Sequence, residues 1–181
     1  MCIRDRPFTE SRLDVHETSS FICWNGEAWT LAGRLIQGND TEHIYRVLSH
    51  VSSLHISSDP QHHARAISGA LASFAGPYAF AYFDASTKRI FFGRDLLGRR
   101  SLLLRRTEDD DLLVCSVSDE TSEQWEEIEA DGIYYVDLLS EKCGTAFSID
   151  KVRYCLREDS VTDTTTVCFS CRCDGNYSLT F

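Results

Sequence analysis

Residues 76–105, GPYAFAYFDASTKRIFFGRDLLGRRSLLLR, contain the pattern that decides the fold. Residues alternate with a period of two through Tyr78 to Phe83, a polar turn follows at residues 84–87, and apolar residues return through Ile90 to Phe92. This alternation around a turn predicts a β-hairpin. Further strands are predicted downstream, at Leu102 to Leu104, Leu112 to Val117 and Ile133 to Leu138.

The apolar period changes upstream of this hairpin, where two helices are predicted. The first helix has Asn39 or Asp40 as its N-cap, Glu42 in its first turn and an apolar stripe at Ile44, Val47, Leu48 and Val51. The second is predicted to end at Gly76-Pro77, after a stripe at Ile67, Ala70, Leu71 and Phe74. Helices followed by an antiparallel run of strands indicate an α+β fold.

The segment before the first helix reads as strand, turn and strand. Residues 21–24 are apolar, Asn25-Gly26 is a strong turn signal, and Trp29, Leu31 and Leu35 alternate beyond it. Taken alone, Asn25-Gly26 therefore indicates a hairpin turn, and Asp40 indicates a helix cap.

Composition bounds the class of protein. The 181 residues are 43% hydrophobic and 25% charged, which suits one core of a globular domain, and no apolar run approaches the length of a membrane span. A net charge of -10 argues against a nucleic-acid partner. One basic cluster is interpreted as a solvated face, and its members are Arg94, Arg99, Arg100, Arg105 and Arg106. MCIRDRPFTE lacks the apolar stretch of a secretory signal, so we expect a cytoplasmic protein.

The sequence divides into three parts. Residues 1–20 are an atypical N-terminal segment, residues 21–140 are the predicted domain, and residues 141–181 are a Cys-rich tail of unknown role, interpreted as a linker, a fragment of another domain or non-native sequence. The tail contains a C-x-x-C-x-C at Cys168, Cys171 and Cys173, which leaves a Cys-rich metal-binding protein open as an alternative. The second C-x-x-C of a structural zinc site is missing and the histidines lack ligand spacing, so no metal site is predicted.

Three segments together resemble the class II, N-terminal-nucleophile glutamine amidotransferase domain of asparagine-synthetase-like proteins. They are WNGE at Trp24 to Glu27, GNDTEHI at Gly38 to Ile44, and residues 76–105. A fourth segment, WEEIEADGIYYVDL at Trp125 to Leu138, is similar to the sequence that ends that domain. The resemblance covers about residues 20–140 and implies an α/β/β/α sandwich of antiparallel sheets, incomplete at its N-terminus.

The resemblance also implies a chemistry and a set of site residues. An N-terminal cysteine attacks the side-chain amide of L-glutamine, and ammonia leaves as a thioester forms. The resemblance assigns the oxyanion to the Asn25 amide and the Gly26 N–H, and the substrate's α-ammonium to Asp40 with Glu27. This domain would need no cofactor. A C-terminal synthetase domain, missing here, would use ATP and Mg for asparagine synthesis or a similar amidation.

The N-terminus departs from the family pattern. Cys2 is the candidate nucleophile by position, but Ile3-Arg4-Asp5-Arg6 follow it where the family reads Met-Cys-Gly-Ile. The Arg-Gly-Pro motif that would hold the glutamine carboxylate is missing, and MCIRDR resembles translated adapter sequence. We therefore expect an N-terminally truncated fragment without glutaminase activity. The alternative is a degenerate, non-catalytic glutaminase-fold module that serves interaction.

Overall fold

The computed structural model describes residues 19–57, 59–107, 111–118, 125–140 and 148–154. In chain order its elements are β1 (Phe21–Gly26), β2 (Thr30–Leu31), β3 (Arg34–Leu35), α1 (Asp40–Leu54), α2 (Pro60–Leu71), β4 (Phe74–Ala75), β5 (Tyr78–Asp84), β6 (Arg89–Arg94), β7 (Leu103–Arg106), β8 (Leu112–Cys115), β9 (Glu126–Glu127), β10 (Gly132–Asp137) and β11 (Asp150–Arg153).

A five-stranded antiparallel sheet, the central sheet, organises the molecule. Its strand order is β1-β5-β6-β10-β11. The predicted hairpin of β5 and β6 is confirmed, and its turn is held by Asp84, whose carboxylate accepts hydrogen bonds from Ser86 N at 3.0 Å and Thr87 Oγ1 at 2.6 Å. The predicted strands at Leu102, Leu112 and Ile133 are confirmed as β7, β8 and β10, with small shifts of their ends.

Both predicted helices are confirmed, and they cover one face of the central sheet. Ile44 and Leu48 of α1 and Ile67 and Leu71 of α2 are fully buried, and they join one core with apolar side chains of the sheet. Asn39 caps α1 and accepts a hydrogen bond from Glu42 N at 3.3 Å, while Asp59 caps α2. Neither helix in the described part of the chain is long and apolar enough to cross a bilayer.

The opposite face of the central sheet packs against a second sheet of order β8-β7-β9. A second apolar cluster fills the space between them, with Ala79, Phe92, Leu102, Ile128 and Val136 at its centre. The described residues thus form a helix layer, the central sheet and the second sheet, in that order. This arrangement confirms an α+β fold of antiparallel sheets.

The predicted strand, turn and strand at residues 21–35 is wrong in its connections. Asn25 and Gly26 lie within β1, which pairs with β5, and β1 does not pair with β2. The two-residue turn is instead at Ala32 and Gly33, which have φ values of 49° and 78° and join β2 to β3. A local Asn-Gly signal could not reveal that the partner strand lies some fifty residues further along the chain.

Two smaller predictions also differ from the structure. Phe74 lies in β4 and not at the end of α2, although it is buried as its stripe position predicted. Arg94 is only 8% exposed, so the basic cluster is not entirely a solvated face. β11 lies beyond residue 140 and pairs with β10. The three-part division of the chain stays a prediction, because residues 1–18 and 155–181 lie outside the described residues.

Candidate functional site

The candidate site is built on a bend in a long antiparallel pair of segments. Residues 21–31 run against residues 74–84, first as β1 with β5 and then as β2 with β4. Between these pairings, Glu27 N donates to Pro77 O at 2.9 Å and Trp29 N donates to Ala75 O at 2.8 Å. Residues 25–29 and 75–78 are called the bend below. It carries the pair of segments from the central sheet into the small sheet of order β3-β2-β4.

Two glycines allow the segments to approach closely in the bend. A Cβ on Gly26 would lie 2.0 Å from Pro77 O, and a Cβ on Gly76 would lie 2.0 Å from Glu27 O. Both residues have positive φ values, 148° and 152°. Any other residue at either position would collide with backbone and adopt a strained conformation. Gly26 is therefore required by this close approach, and not by the hairpin turn that the sequence predicted.

The peptide groups of the bend point alternately inward and outward. Because the N–H groups of Glu27 and Trp29 point inward to residues 75–77, those of Gly26 and Ala28 point to the outer edge of β1. In the part of the chain that the structure describes, this edge of β1 has no partner strand. Ala28 N donates to Asp40 Oδ2 at 2.7 Å. The Gly26 N–H and the Asp40 carboxylate therefore lie on the same edge.

Asp40 is the first residue of α1 and not its cap. Since Asn39 satisfies Glu42 N, the Asp40 carboxylate is free to reach the bend, while its Oδ1 accepts from Thr41 N at 2.7 Å. Asp40 is half-buried. A carboxylate can accept about four hydrogen bonds, so Oδ2 keeps acceptor capacity beyond the one from Ala28 N.

The Asn25 side chain lines a narrow groove between the central and second sheets. The groove is also lined by Cys23, Ala79, Leu102, Cys115 and Ser116. Asn25 is half-buried, and its side-chain amide makes no hydrogen bond to the described part of the chain. Burial raises the pKa of the neighbouring Cys23 thiol, which disfavours the reactive thiolate there.

The structure thus brings together some of the predicted site residues and leaves others apart. Gly26 and Asp40 share the outer edge of β1, and Asn25 lies directly before Gly26 with its amide in the adjoining groove. The Glu27 side chain is exposed, and its carbonyl oxygen lies against Gly76. Cys2 lies outside the described residues.

An arginine at the other edge of the bend was missed by the sequence analysis. Arg99 Nη2 donates to Gly76 O at 2.6 Å and Nε donates to Asp95 Oδ1 at 2.9 Å. Arg94 directly precedes Asp95 in the sequence, but the ion pair of Asp95 is with Arg99. Arg94 instead binds Glu127 and the carbonyl oxygens of Gly98, Arg100 and Ile128. The only sequence signal for the actual pair is the spacing of Asp95 and Arg99, four residues apart around Gly98.

The histidines form a group away from the bend. The rings of His55, His62 and His63 are neighbours, with centroids 5.2 Å apart for His55 and His62 and 6.1 Å apart for His55 and His63. Among the described residues, no three His, Cys, Asp or Glu side chains are grouped so that they could hold a metal ion. The cysteines of the predicted tail lie outside those residues.

Known proteins with similar sequences are named for an asparagine synthetase domain. A protein of Gallus gallus named asparagine synthetase domain-containing protein 1 is 35% identical over 140 residues, which are 75% of this chain and 20% of that protein. The protein of the same name from Bos taurus is 32% identical over 128 residues, 68% of this chain and 18% of that protein. The chain therefore spans about a fifth of the length of these relatives.

The fold has a similar solved structure, and the sequence matches a family model. The glutamine phosphoribosylpyrophosphate amidotransferase of B. subtilis aligns with a TM-score of 0.51 over 81% of this chain and 31% of that one, at 18% identity, which supports the fold alone. The family model described as glutamine amidotransferase domain matches residues 21–121. This match covers more than half of the chain and contains the whole bend with Asp40 and Arg99. The chain therefore belongs to the glutamine amidotransferase domain family.

Proposed function

We propose that this chain is the glutamine-binding part of a glutamine-hydrolysing domain that supplies ammonia for asparagine synthesis or a similar amidation. The observation that carries the proposal is the 2.7 Å hydrogen bond from Ala28 N to Asp40 Oδ2. It ties the carboxylate to the same edge as the Gly26 N–H, two residues away and thus roughly 7 Å along the strand. One amino acid with a side-chain amide can reach both groups.

Each group then has a role in holding L-glutamine. Asp40 accepts the α-ammonium through a charge-assisted hydrogen bond. The Gly26 N–H and the Asn25 amide donate to the oxygen of the substrate's side-chain amide, where negative charge develops when a thiolate adds to the carbon. Because the Glu27 N–H and carbonyl oxygen both point inward to the opposing segment, Glu27 contributes by orienting the bend between these groups.

The reaction proposed for the whole domain is acyl transfer through a cysteine. The sulfur adds to the amide carbon of glutamine, the tetrahedral intermediate expels ammonia as it takes up a proton, and water then hydrolyses the thioester to glutamate. This sequence of steps needs no cofactor. ATP and Mg would serve the synthetase part of a longer protein, which would consume the ammonia. A cytoplasmic location remains a prediction.

We further propose that the chain with its present N-terminus is inactive. Cys2 is followed by Ile3, whose side chain occupies the position where the resemblance requires glycine for close approach to the substrate. This same observation favours the second candidate function, a degenerate glutaminase-fold module that binds no glutamine and serves interaction. The two functions differ in whether the purified chain binds L-glutamine.

Titration calorimetry of the purified chain with L-glutamine tests the proposal. We expect saturable binding that Asp40→Asn weakens at least tenfold, because an amide cannot neutralise the ammonium and a hydrogen bond to a charged group contributes about 1.5–3 kcal/mol. Glu42→Gln is the matched control, since it removes a carboxylate from the same helical turn that binds Arg46 and not Ala28. Thermal unfolding of each variant verifies that it is folded.

A glutamine-analogue diazoketone then tests the nucleophile. We expect no covalent label on Cys2 and no release of ammonia above background. Glutamine binding without labelling supports the proposal in full, whereas labelling of Cys2 would show that this N-terminus is active. A wild-type chain that does not bind L-glutamine supports the non-catalytic module.

A further inference from the structure

Arg99 lies beside the bend that carries the candidate site. Its guanidinium donates to Gly76 O at 2.6 Å and lies over the Trp29 indole, 5.6 Å from the ring centroid. Gly76 and Trp29 belong to the two opposing segments of the bend. A single side chain outside the bend therefore contacts both of its segments.

Arg99 and Asp40 lie on opposite edges of the bend. Because Pro77 O and Ala75 O point inward and accept from residues 27 and 29, the intervening Gly76 O points outward, away from Ala28 N. Asp40 binds the outer side of one segment through Ala28 N, and Arg99 binds the outer side of the other through Gly76 O. A glutamine held by Asp40 is thus separated from Arg99 by both segments, which excludes Arg99 as a substrate ligand in this arrangement.

The orientation of Arg99 is fixed by a buried carboxylate. Asp95 is 3% exposed, and its side chain accepts hydrogen bonds from Tyr78 N at 3.2 Å, Arg99 N at 3.1 Å and Arg99 Nε at 2.9 Å. Since Tyr78 is the last residue of the bend and the first of β5, Asp95 fixes the position of Arg99 relative to the start of β5. The guanidinium fork spans from Asp95 to Gly76 O, a bridge that a single ammonium group cannot make.

We propose that Arg99 is a positioning residue that holds the bend in the geometry needed to bind glutamine. It acts through the Gly76 carbonyl and the Trp29 ring. Gly76 lies against the Glu27 carbonyl, so a displacement of Gly76 moves Glu27 and Ala28, and with them the Ala28 N–H that orients Asp40. The effect on glutamine rests on the proposed function, whereas the effect on the bend does not.

Amide hydrogen exchange measured by NMR on the purified chain tests directly whether Arg99 holds the bend. In Arg99→Gln, we expect the Ala28 amide to exchange about tenfold faster, because the charge-assisted hydrogen bond to Gly76 O is lost. The amide of Phe91 in the core of the central sheet should keep its wild-type rate, which separates a local effect from general loss of stability. Arg153→Gln is the control, since Arg153 is largely exposed, pairs with Asp131 and lies on β11, at the opposite edge of the central sheet from β1.

A second variant of Arg99 and a measurement of L-glutamine affinity complete the test. Arg99→Lys keeps the positive charge but not the fork, so we expect it to behave like Arg99→Gln; wild-type exchange in this variant would overturn the proposal. L-Glutamine affinity, measured by calorimetry, should fall about tenfold in both variants and stay unchanged in Arg153→Gln. If the wild-type chain binds no glutamine, the proposed function fails, and Ala28 exchange alone still decides the role of Arg99. An unchanged Ala28 rate in Arg99→Gln overturns it.

Discussion

The two ends of the central sheet differ in whether their polar groups are hydrogen-bonded within the fold. At the bend end, where β1 finishes and β5 begins, the Asn25 amide faces a groove and the Gly26 N–H faces the edge of β1 that has no partner strand among the described residues. At the hairpin end, where β5 finishes at Asp84 and β6 begins at Arg89, the polar side chains are buried and bind one another. The first end keeps donors available, and the second uses them for folding.

At the hairpin end, buried polar side chains form a hydrogen-bonded network around His63. His63 is fully buried, with Nε2 at 3.1 Å from Ser52 Oγ and Nδ1 at 3.2 Å from Arg89 Nη1. Because arginine can only donate, Nδ1 must accept and the imidazole proton lies on Nε2, facing Ser52. Arg89 Nε also binds Asp137 Oδ2 at 3.2 Å. This network ties both helices to the sheet, and these hydrogen bonds all join groups of the fold to one another.

The contrast teaches how the two kinds of polar group can be told apart. A buried polar side chain that finds its partners within the fold contributes to stability, and its loss leaves those partners unsatisfied. A donor held at an open edge by rigid backbone contributes little to stability and is available for binding. The predictions below would break or sharpen this distinction.

The largest effect is expected at the bend backbone. In Gly76→Ala, the new Cβ would meet Glu27 O at 2.0 Å, so the free energy of unfolding should fall by about 3 kcal/mol or more. Gly33→Ala is the matched control, because Gly33 also has a positive φ but a Cβ added there would meet nothing within 4 Å, and it should lose only about 1 kcal/mol. Urea unfolding measures both. Equal losses would show that the bend has room for a side chain.

The next largest effect is a pH dependence of the free energy of unfolding, which comes from His63 at the hairpin end. Burial, together with Arg89, His55 and His62, lowers the pKa of His63 from 6.5 to about 4, against an opposing contribution from Asp84. The folded state therefore binds fewer protons than the unfolded state between these values. The free energy of unfolding therefore keeps its full value above pH 6.5. It decreases by about 3 kcal/mol in total as the pH falls towards 4.

The variant His63→Gln isolates this dependence. Urea unfolding between pH 4 and pH 7 should show a much shallower slope for the variant than for the wild-type chain. Some slope should remain, because burial also lowers the pKa of His55. Identical slopes in the two proteins would contradict the assignment of a buried, neutral His63.

The smallest effect is expected from a matched pair of truncations, one at each end. Ser52→Ala removes the hydroxyl that contacts His63 and Tyr82, and should lower the free energy of unfolding by about 1–2 kcal/mol. Asn25→Ala removes an amide without a partner among the described residues, and should change the free energy of unfolding by less than about 0.5 kcal/mol. Chemical denaturation compares them. A larger loss for Asn25→Ala would mean that this amide serves the fold.

Much of the fold could be predicted because its signals are local. The stripe on α1 and the alternation on β5 and β6 each lie within about fifteen residues of chain, and all three elements formed where they were expected. The Asn25-Gly26 signal was also local, but it was misleading, since the same dipeptide suits a hairpin turn and a strand that crosses close to another. The missing information was the identity of the partner, β5.

For the site, the sequence supplied candidates and not their arrangement. Asn25, Gly26, Glu27 and Asp40 were selected by resemblance, and the structure adds that Asp40 contacts Ala28. Arg99 was assigned to a solvated face, because nothing in its neighbours indicates that it reaches Gly76, more than twenty residues earlier in the chain.

The sequence by itself determined the types of the elements, the family and the chemical groups available to hold an amino acid. Those properties follow from side-chain periodicity and residue identity, which are read along the chain. Only the tertiary structure decided which strands pair, why Gly26 and Gly76 must be glycine, and which edge carries Asp40 and which carries Arg99. These depend on contacts between segments about twelve to sixty residues apart, and the free energy of such contacts is not encoded in either segment alone.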